Sequence, residues 1–257
     1  MTARITCEDI VKSYGRKAAV RGVSFTVGPG ARVGIVGESG SGKSTVAKII
    51  VGLEKPSSGR VLIDGREVAS LMSTRKGVLE YRRAVQLVAQ DTTSTFDARH
   101  PVRQSLRTPA QILGGLDVRQ ADEAIENITH EIGISPELVD RFPAELSGGQ
   151  RQRMAIARAL VIRPDVLVCD EAVSALDVSV QGAVLNFLKR YSQQHGASVL
   201  SVSHGLPATA FLTDELVVMN AGTVMETGPT RALLADPQNA YTRMLVGAYR
   251  DIESLAP

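Results

Sequence analysis

The chain has 257 residues, of which 44% are hydrophobic and 22% charged, so it can bury a sizeable core and does not have the composition of a disordered protein. Its formal net charge of +2, carried by scattered lysines and arginines, gives no reason to expect a nucleic acid as partner. Two distant cysteines, Cys7 and Cys169, support neither a disulfide framework nor a metal site. The sequence shows no signal peptide, and none of its apolar runs approaches the ~20 residues that span a bilayer.

Short β-rich runs open the chain at residues 5–14 and 22–27 and are broken by turn residues, so a meander is expected. Tyr14 ends the first run, and an aromatic ring at this place suits stacking on an adenine. A half-buried aromatic of a sheet explains the same position equally well. The spacing alone leaves both interpretations open.

A glycine-rich segment at residues 37–45, with the sequence GESGSGKST, separates an apolar run at 33–36 from a helix-like run at 46–53. It matches the pattern G-x-x-x-x-G-K-[ST] in full and in the strand–loop–helix context that the pattern requires. Its backbone amides and the positive end of the following helix can converge on one anion. We therefore predict a phosphate-binding loop made of Gly37, Glu38, Ser39, Gly40, Ser41, Gly42, Lys43, Ser44 and Thr45.

Within this loop three side chains have expected tasks. Lys43 adds a full positive charge, Ser44 would hold Mg²⁺, and Thr45 would reach the α-phosphate. An ordinary Gly/Ser turn with a surface lysine is the disfavoured alternative, since it does not require the strand and the helix on either side.

Two more strands are expected at residues 59–65, closed by the turn pair Asp64-Gly65, and at residues 83–90. The second strand ends at Gln90 and is followed by a loop at 91–99. A glutamine at the carboxyl end of a strand can reach a ligand above the sheet, although a solvated loop residue is the commoner case.

Between residues 101 and 145 the pattern becomes helical, with expected helices at 102–106, 121–132 and 136–141, which indicates an inserted helical subdomain. Residues 146–150 then have the sequence LSGGQ and open a helix that continues to residue 160. Ser147 suits the N-cap, and bare glycine amides at a helix start favour a second anion site. By itself, Gly-Gly before a helix is usually only a turn.

A buried-type strand at residues 165–171 ends in two carboxylates, Asp170 and Glu171. Successive strand residues point to opposite faces, so Asp170 is expected toward a metal-bound phosphate and Glu171 toward the other face. A further strand at 197–203 delivers His204. Gln90, Glu171 and His204 thus follow three apolar strands, whose carboxyl ends would share one crevice in an open parallel sheet.

Residues 174–177, with the sequence SALD, lead to an expected helix at 178–191. The chain closes with a hairpin at 215–219 and 223–227 and an amphipathic tail at 230–249.

Taken together, the motifs at 37–45, 146–150, 166–171 and 174–177, with Gln90 and His204, resemble in order and spacing an ATP-binding-cassette ATPase. The resemblance covers nearly the whole chain and includes an unsubstituted LSGGQ signature. It implies an α/β fold of the P-loop NTPase class, with a mostly parallel core sheet flanked by helices, an N-terminal antiparallel β-subdomain and an inserted helical subdomain. The implied single domain, 1–257, divides into a core at 1–90 and 161–229, a signature subdomain at 91–160 and a helical tail at 230–257.

Longer segments at residues 141–147, 170–181 and 235–245 resemble the cytoplasmic ATPase subunits of bacterial peptide/nickel importers, and the EAVS form at 171–174 is similar to the second of their two ATPases. Two departures stand out. The loop after Gln90 has the sequence DTTSTFDAR, and Gly205 follows His204 where an aspartate is usual. The first departure implies a different permease contact at that loop. The second removes a usual local polar partner beside His204 but leaves the histidine itself in place.

The same resemblance implies ATP and Mg²⁺ as bound groups and assigns roles to the matching residues. Lys43 would gather charge on the β- and γ-phosphates, Glu171 would polarise the attacking water, and His204 would stabilise the γ-phosphate. Gln90 would sense that water and relay occupancy to a permease helix. The implied metal ligands are Ser44, Gln90 and Asp170. Further nucleotide contacts are expected from Tyr14 and Asp177 and, across a tail-to-head dimer, from Ser147, Gly148, Gly149 and Gln150.

The implied partners are two transmembrane permease subunits, a second ATPase subunit and, indirectly, an extracytoplasmic substrate-binding protein, with the chain held at the cytoplasmic face of the bacterial inner membrane. Two alternatives stay open. An accessory ATPase of a soluble complex, such as one that cleaves carbon–phosphorus bonds, has a similar length and tail. A clamp that binds ATP without hydrolysis is disfavoured by intact Glu171 and His204.

Overall fold

The computed structural model describes residues 3–92, 95–174 and 176–254, with the side chains of residues 178, 179 and 251–254 excepted. Two residues of the loop expected at 91–99, one residue of the segment at 174–177 and both chain ends lie outside these ranges. Two sheets organise the described part of the chain, one with four strands and one with six.

The smaller sheet is antiparallel, with the strand order β2-β1-β4-β5. Its strands are β1 (Ile5–Tyr14), β2 (Lys17–Val27), β4 (Ser58–Ile63) and β5 (Arg66–Glu67). Ile5, Cys7 and Ile10 of β1 are buried. The strand expected at 59–65 corresponds to β4. Because β4 pairs with β1, it belongs to this smaller sheet and does not extend the core sheet. The turn between β4 and β5 is the expected Asp64-Gly65 pair, with positive φ at both residues as a type I′ hairpin turn requires.

The larger sheet has the strand order β10-β9-β3-β8-β7-β6 and is parallel from β9 to β6, with β10 antiparallel at one edge. Its strands are β3 (Arg32–Val36), β6 (Val85–Val88), β7 (Val166–Asp170), β8 (Ser198–Ser203), β9 (Glu215–Asn220) and β10 (Thr223–Pro229). Every residue of β3, β7 and β8 is buried, as expected for central strands covered on both faces. The carboxyl ends of the parallel strands form one edge, where ligands bind in such sheets.

Helices cover both faces of this sheet and fill the segment between β6 and β7. The α-helices are α1 (Lys43–Ile50), α2 (Val68–Leu71), α3 (Arg75–Ala84), α4 (Val102–Ile112), α5 (Val118–Glu131), α6 (Gly148–Leu160), α7 (Val178–His195), α8 (Leu206–Leu212), α9 (Thr230–Ala235) and α10 (Ala240–Ser254). None of the helices in the described part of the chain has the length and apolarity that crossing a bilayer demands.

Several sequence predictions of element bounds were wrong. The helix after the phosphate-binding loop begins at Lys43 and not at residue 46, directly after Gly42 with its φ of 98°. The strand expected at 83–90 shrinks to β6, because residues 83 and 84 end the unpredicted helix α3. The helix expected at 136–141 is a 3₁₀-helix, Pro136–Asp140. The tail divides into α9 and α10 around Pro237, which cannot donate a backbone hydrogen bond.

A charged cluster ties α4 to α5, and we predict that it stabilises the fold. Arg107 makes two hydrogen bonds to the Asp122 carboxylate, at 2.8 and 2.7 Å, and lowers the pKa of Asp122 mainly through them. Asp122→Asn should lower the free energy of unfolding by about 1–2 kcal/mol, measured by urea denaturation. Because the pKa is lowered in the folded state, this contribution is present above the ordinary carboxyl pKa and is lost as pH falls through the lowered value.

The exposed pair of Arg119 and Glu123 supplies the control, since its side chains are 79% and 57% exposed. Glu123→Gln should cost less than about 0.5 kcal/mol. Equal losses for the Asp122 and Glu123 variants would contradict a special role of the Arg107 pair.

Candidate active site

The phosphate-binding loop connects β3 to α1 and has two positions that only glycine can fill. A Cβ on Gly37, whose φ is 151°, would lie 2.0 Å from the carbonyl oxygen of Met219. A Cβ on Gly42, whose φ is 98°, would lie 2.4 Å from the carbonyl oxygen of Ala19. Because neighbouring backbone crowds both residues, the loop is held closely against β9 and β2.

Lys43 is 5% exposed and its ammonium group lies within the loop. Nζ donates to the carbonyl oxygens of Gly37 and Glu38, both at 2.8 Å, and to Ser41 Oγ at 3.3 Å. Burial lowers the pKa of Lys43, against the opposing effect of nearby carboxylates. A phosphate group would compensate this desolvated charge. Around it Ser39 and Gly40 are exposed and Thr45 is half-buried in the first turn of α1.

Asp170, the last residue of β7, is joined to the loop through Ser44. Ser44 Oγ donates to Asp170 Oδ1 at 2.9 Å. Burial raises the pKa of Asp170, and the Ser44 hydroxyl opposes that effect. A carboxylate that is 6% exposed and a hydroxyl in contact form the kind of oxygen pair that a hard cation such as Mg²⁺ accepts.

Glu171 follows with a φ of 52°, a left-handed conformation that few non-glycine residues adopt. Such backbone costs about 1–3 kcal/mol and persists where surrounding contacts enforce it. Here the Glu171 N–H donates to the carbonyl of Val202 in β8 at 2.8 Å. The strained turn directs the carboxylate, which is 16% exposed, to a place between Gln90 and His204.

Gln90, Glu171 and His204 meet at the sheet edge, as the sequence predicts. Gln90 Nε2 donates to Glu171 Oε2 at 2.7 Å, and His204 Nδ1 lies 2.9 Å from Glu171 Oε1. Both carboxylate oxygens are thereby engaged, one by each neighbour. Beside His204, the Gly205 N–H donates to Ser203 Oγ at 2.9 Å.

The remaining predicted nucleotide contacts lie at the start of α6, just before α7 and at the end of the β1–β2 hairpin. Ser147 caps α6 in a reciprocal pair with Gln150, and Ser147 and Gly148 are exposed, with Gly149 half-buried. Asp177 precedes α7 and is exposed. Tyr14 is 48% exposed at the end of the β1–β2 hairpin, with Lys12 Nζ 5.1 Å from its ring centre. These residues are available to a ligand or a partner subunit.

Two residues that touch the site were missed by sequence reasoning. The Tyr241 hydroxyl accepts the Glu38 N–H at 3.1 Å, and the Tyr249 hydroxyl donates to the His204 carbonyl at 2.5 Å. Both tyrosines lie in α10. Tyr241 is 203 residues beyond Glu38, and Tyr249 is 45 residues beyond His204. Tyr241 falls in the segment 235–245 that resembles importer ATPases, which was the one available signal.

Comparison with known proteins agrees with the resemblance. A family model described as ABC transporter matches residues 20–174. The chain is 42% identical over 231 residues to the probable peptide ABC transporter ATP-binding protein y4tS of Sinorhizobium fredii, an alignment that covers 90% of this chain and 65% of that protein. It is 37% identical over 235 residues to the oligopeptide transport ATP-binding protein OppF of Lactococcus lactis, covering 91% and 73%. The chain thus spans just under two thirds of the first relative's length.

Solved structures share the fold. The ATP-binding cassette MJ0796, in a dimeric post-hydrolysis state bound to ADP and Pi, matches with a TM-score of 0.81 at 26% identity, over 88% of this chain and 99% of that one. The cbiO1 protein of Clostridium perfringens, part of an ABC transporter complex, matches with a TM-score of 0.80 at 25% identity, over 99% and 100%. The expected α/β fold is confirmed by these structures, and the chain belongs to the ABC transporter family.

Proposed function

We propose that this chain hydrolyses ATP as the nucleotide-binding subunit of a bacterial importer for peptides, nickel or a related small solute or metal chelate. The observation that carries the proposal is the hydrogen-bonded group of Gln90, Glu171 and His204 beside the phosphate-binding loop. The substrate class is supported by relatives whose names state peptide and oligopeptide transport.

Each polar side chain at the sheet edge has its own task in phosphoryl transfer to water. Glu171 polarises the attacking water, as a carboxylate fixed by two neighbours and by its strained backbone can do. His204 stabilises the γ-phosphate, and Lys43 gathers charge on the β- and γ-phosphates. Gln90, in contact with Glu171, senses whether the water is in place. Tyr14 is proposed to stack on the adenine.

The oxygens of Ser44 and Asp170 fit Mg²⁺, with Gln90 as a third proposed ligand. Among the described residues no group of three or more His, Cys, Asp or Glu side chains makes a metal site by itself. Mg²⁺ commonly binds through one or two carboxylates together with substrate phosphates, so this site is expected to form with the nucleotide. When bound, the ion would neutralise charge on the β- and γ-phosphates.

The exposed signature segment supports a composite site. Ser147 and Gly148 are exposed, and a Cβ added to Gly148 would have no neighbouring atom within 4 Å. We propose that residues 147–150 and Asp177 contact the ATP held by the phosphate-binding loop of a second ATPase subunit, in a tail-to-head dimer. One chain then supplies half of each of two sites. That second subunit is a copy of this chain or a sister ATPase.

A cavity of about 480 Å³ next to the loop after Gln90 supports docking of a permease. Its lining includes Leu79 of α3 and Ile112 of α4, which are 38% and 63% exposed, together with Thr95 and Arg158. Arg158 donates to the Thr95 carbonyl and so ties the signature helix α6 to that loop. We propose two permease subunits as partners at the cytoplasmic face of the inner membrane, with an extracytoplasmic binding protein reached through them.

The division into a core at 1–90 and 161–229, a signature subdomain at 91–160 and a tail at 230–257 is part of this proposal. The position of α4, α5 and α6 between β6 and β7 supports it. In this arrangement the cavity lies where a permease would sense movement of the signature helix relative to the core.

Assembly is expected to control the rate. The isolated chain should be mainly monomeric without nucleotide and should hydrolyse ATP weakly. Turnover per chain should rise when the protein concentration is increased or when permease is added. A tagged chain isolated from detergent-solubilised membranes should bring down two membrane proteins and an ATPase, identified by mass spectrometry. Turnover per chain that does not depend on concentration would contradict the shared site. Recovery of a soluble enzyme complex would favour the carbon–phosphorus alternative.

A further inference from the structure

The C-terminal helix α10 packs beside the strand ends that carry the phosphate-binding loop and His204. An apolar cluster buries Val246 of α10 together with Val36, the last residue of β3, and Leu206, the first residue of α8. Glu226 of β10 fixes the start of the helix, because its carboxylate accepts two backbone N–H groups just before α10, at 2.9 and 3.1 Å. The helix is thus anchored at its start and along its apolar face.

Two tyrosine hydroxyls on this helix reach the backbone of the candidate site. Tyr241 Oη accepts the Glu38 N–H, and Tyr249 Oη donates to the His204 carbonyl. Residues eight apart lie on the same face of a helix, so one surface of α10 contacts both segments. Both rings also pack against the apolar cluster, which fixes where their hydroxyls lie.

We propose that Tyr241 and Tyr249 are positioning residues for ATP hydrolysis, a proposal that rests on the function proposed above. Tyr241 holds the phosphate-binding loop in its binding conformation. Tyr249 holds the segment of His204 against Glu171. Neither hydroxyl is placed on the reacting atoms, and each acts through the backbone group that it contacts.

The loop needs such a contact because fixing its glycines in one conformation costs conformational entropy. Glycines at 37, 40 and 42 have positive φ, and glycine loses more conformational freedom on ordering than other residues. Glu38 is exposed, and while its carbonyl accepts from Lys43 Nζ and the Ser41 N–H, its own N–H donates to Tyr241. A loop that spends less time in the competent conformation binds ATP more weakly in proportion to that fraction. The Tyr241 contact is therefore expected to affect ATP affinity.

The His204 segment needs its contact for a different reason. Its side chain is 59% exposed, and only Gly205 separates it from α8. The distance of 2.9 Å between His204 Nδ1 and Glu171 depends on where the His204 backbone lies. A shift of about an ångström at a reacting group can cost two orders of magnitude in rate without changing how ATP binds. The Tyr249 contact is therefore expected to affect turnover.

The test compares Tyr241→Phe and Tyr249→Phe in the full chain, which lose a hydroxyl and keep the packed ring. Tyr241→Phe should raise the Kd for Mg-ATP about three- to tenfold by calorimetry, with kcat near wild type. In the same variant the Glu38 amide should exchange with solvent about three- to tenfold faster by NMR. Tyr249→Phe should lower kcat about three- to tenfold with an unchanged Kd. The kcat values are compared at one protein concentration that saturates turnover per chain.

Tyr191→Phe is the matched control, since the Tyr191 hydroxyl is buried and has no hydrogen-bond partner among the described residues. It should change neither constant. Wild-type Kd and kcat in both α10 variants, or parallel changes in both constants that follow the loss of folded protein in thermal melts, would overturn the proposal. Failure of the wild-type chain to bind Mg-ATP would instead overturn the proposed function, before any variant is compared.

Discussion

Glu171→Gln is expected to lower the rate of ATP hydrolysis by ~10²-fold or more, within the range of general-base contributions. Glutamine keeps the size of the side chain and its hydrogen-bonding reach, but it loses the charge that orients and polarises water. Gln90 and His204 now contact the two carboxylate oxygens, so the change alters the one group that they position. Steady-state hydrolysis in the assembled complex measures the effect.

ATP binding should survive the same change, because the phosphate-binding loop is formed by other residues. Lys43 keeps its contacts to the loop carbonyls, and Ser44 keeps its hydrogen bond to Asp170. Glu126→Gln, which removes an exposed carboxylate on α5, is the matched control and should leave both rate and affinity unchanged. A Glu171→Gln protein that hydrolyses ATP at the wild-type rate would remove Glu171 from its catalytic role.

Lys43→Ala is expected to abolish tight ATP binding, with a loss of at least ~10²-fold in affinity. The substitution removes a full positive charge that is already desolvated and directed into the loop by Gly37, Glu38 and Ser41. A charged hydrogen bond to phosphate is among the stronger ones, and losing one side of such a pair typically costs 2–5 kcal/mol. Calorimetry with ATP in Mg²⁺ measures the change directly.

Lys76→Ala controls for loss of a positive charge elsewhere, since Lys76 is an exposed residue of α3. It should bind ATP as the wild type does. If the Lys43→Ala and wild-type proteins bound ATP with equal affinity, the loop would not be the phosphate site.

The strand ends of the parallel sheet were predictable because buried strands leave a strong local pattern. The runs before Gly37 and Glu171 are mostly apolar, the run before His204 mixes serine with valine and leucine, and β3, β7 and β8 are buried at every residue. Parallel pairing then brings their carboxyl ends to one edge whatever the loops between them do. The group of Gln90, Glu171 and His204 follows from that edge.

Contacts made by the tail could not be predicted in the same way. Tyr241 and Tyr249 touch backbone atoms far away in the sequence, and no local pattern encodes which strand end a hydroxyl will reach.

Helix α8 was also missed, because it has a proline in its first turn, begins only two residues after His204 and is seven residues long. The bounds of α1 and β6 were also misjudged, because α1 already begins directly after Gly42 and α3 includes the first two residues of the expected strand.

The composite site is tested most directly by size-exclusion chromatography of Glu171→Gln in Mg-ATP, run alone and with the ATPase that copurifies with the complex. Because ATP then persists between the loop of one subunit and residues 147–150 of the other, the variant should elute as a dimer whose acid-extracted nucleotide is ATP. Glu171→Gln/Ser147→Arg places bulk and positive charge at the exposed signature segment and should elute as a monomer. A Glu171→Gln protein that remains monomeric in both runs at saturating Mg-ATP, or a double variant that still dimerises, would contradict the account.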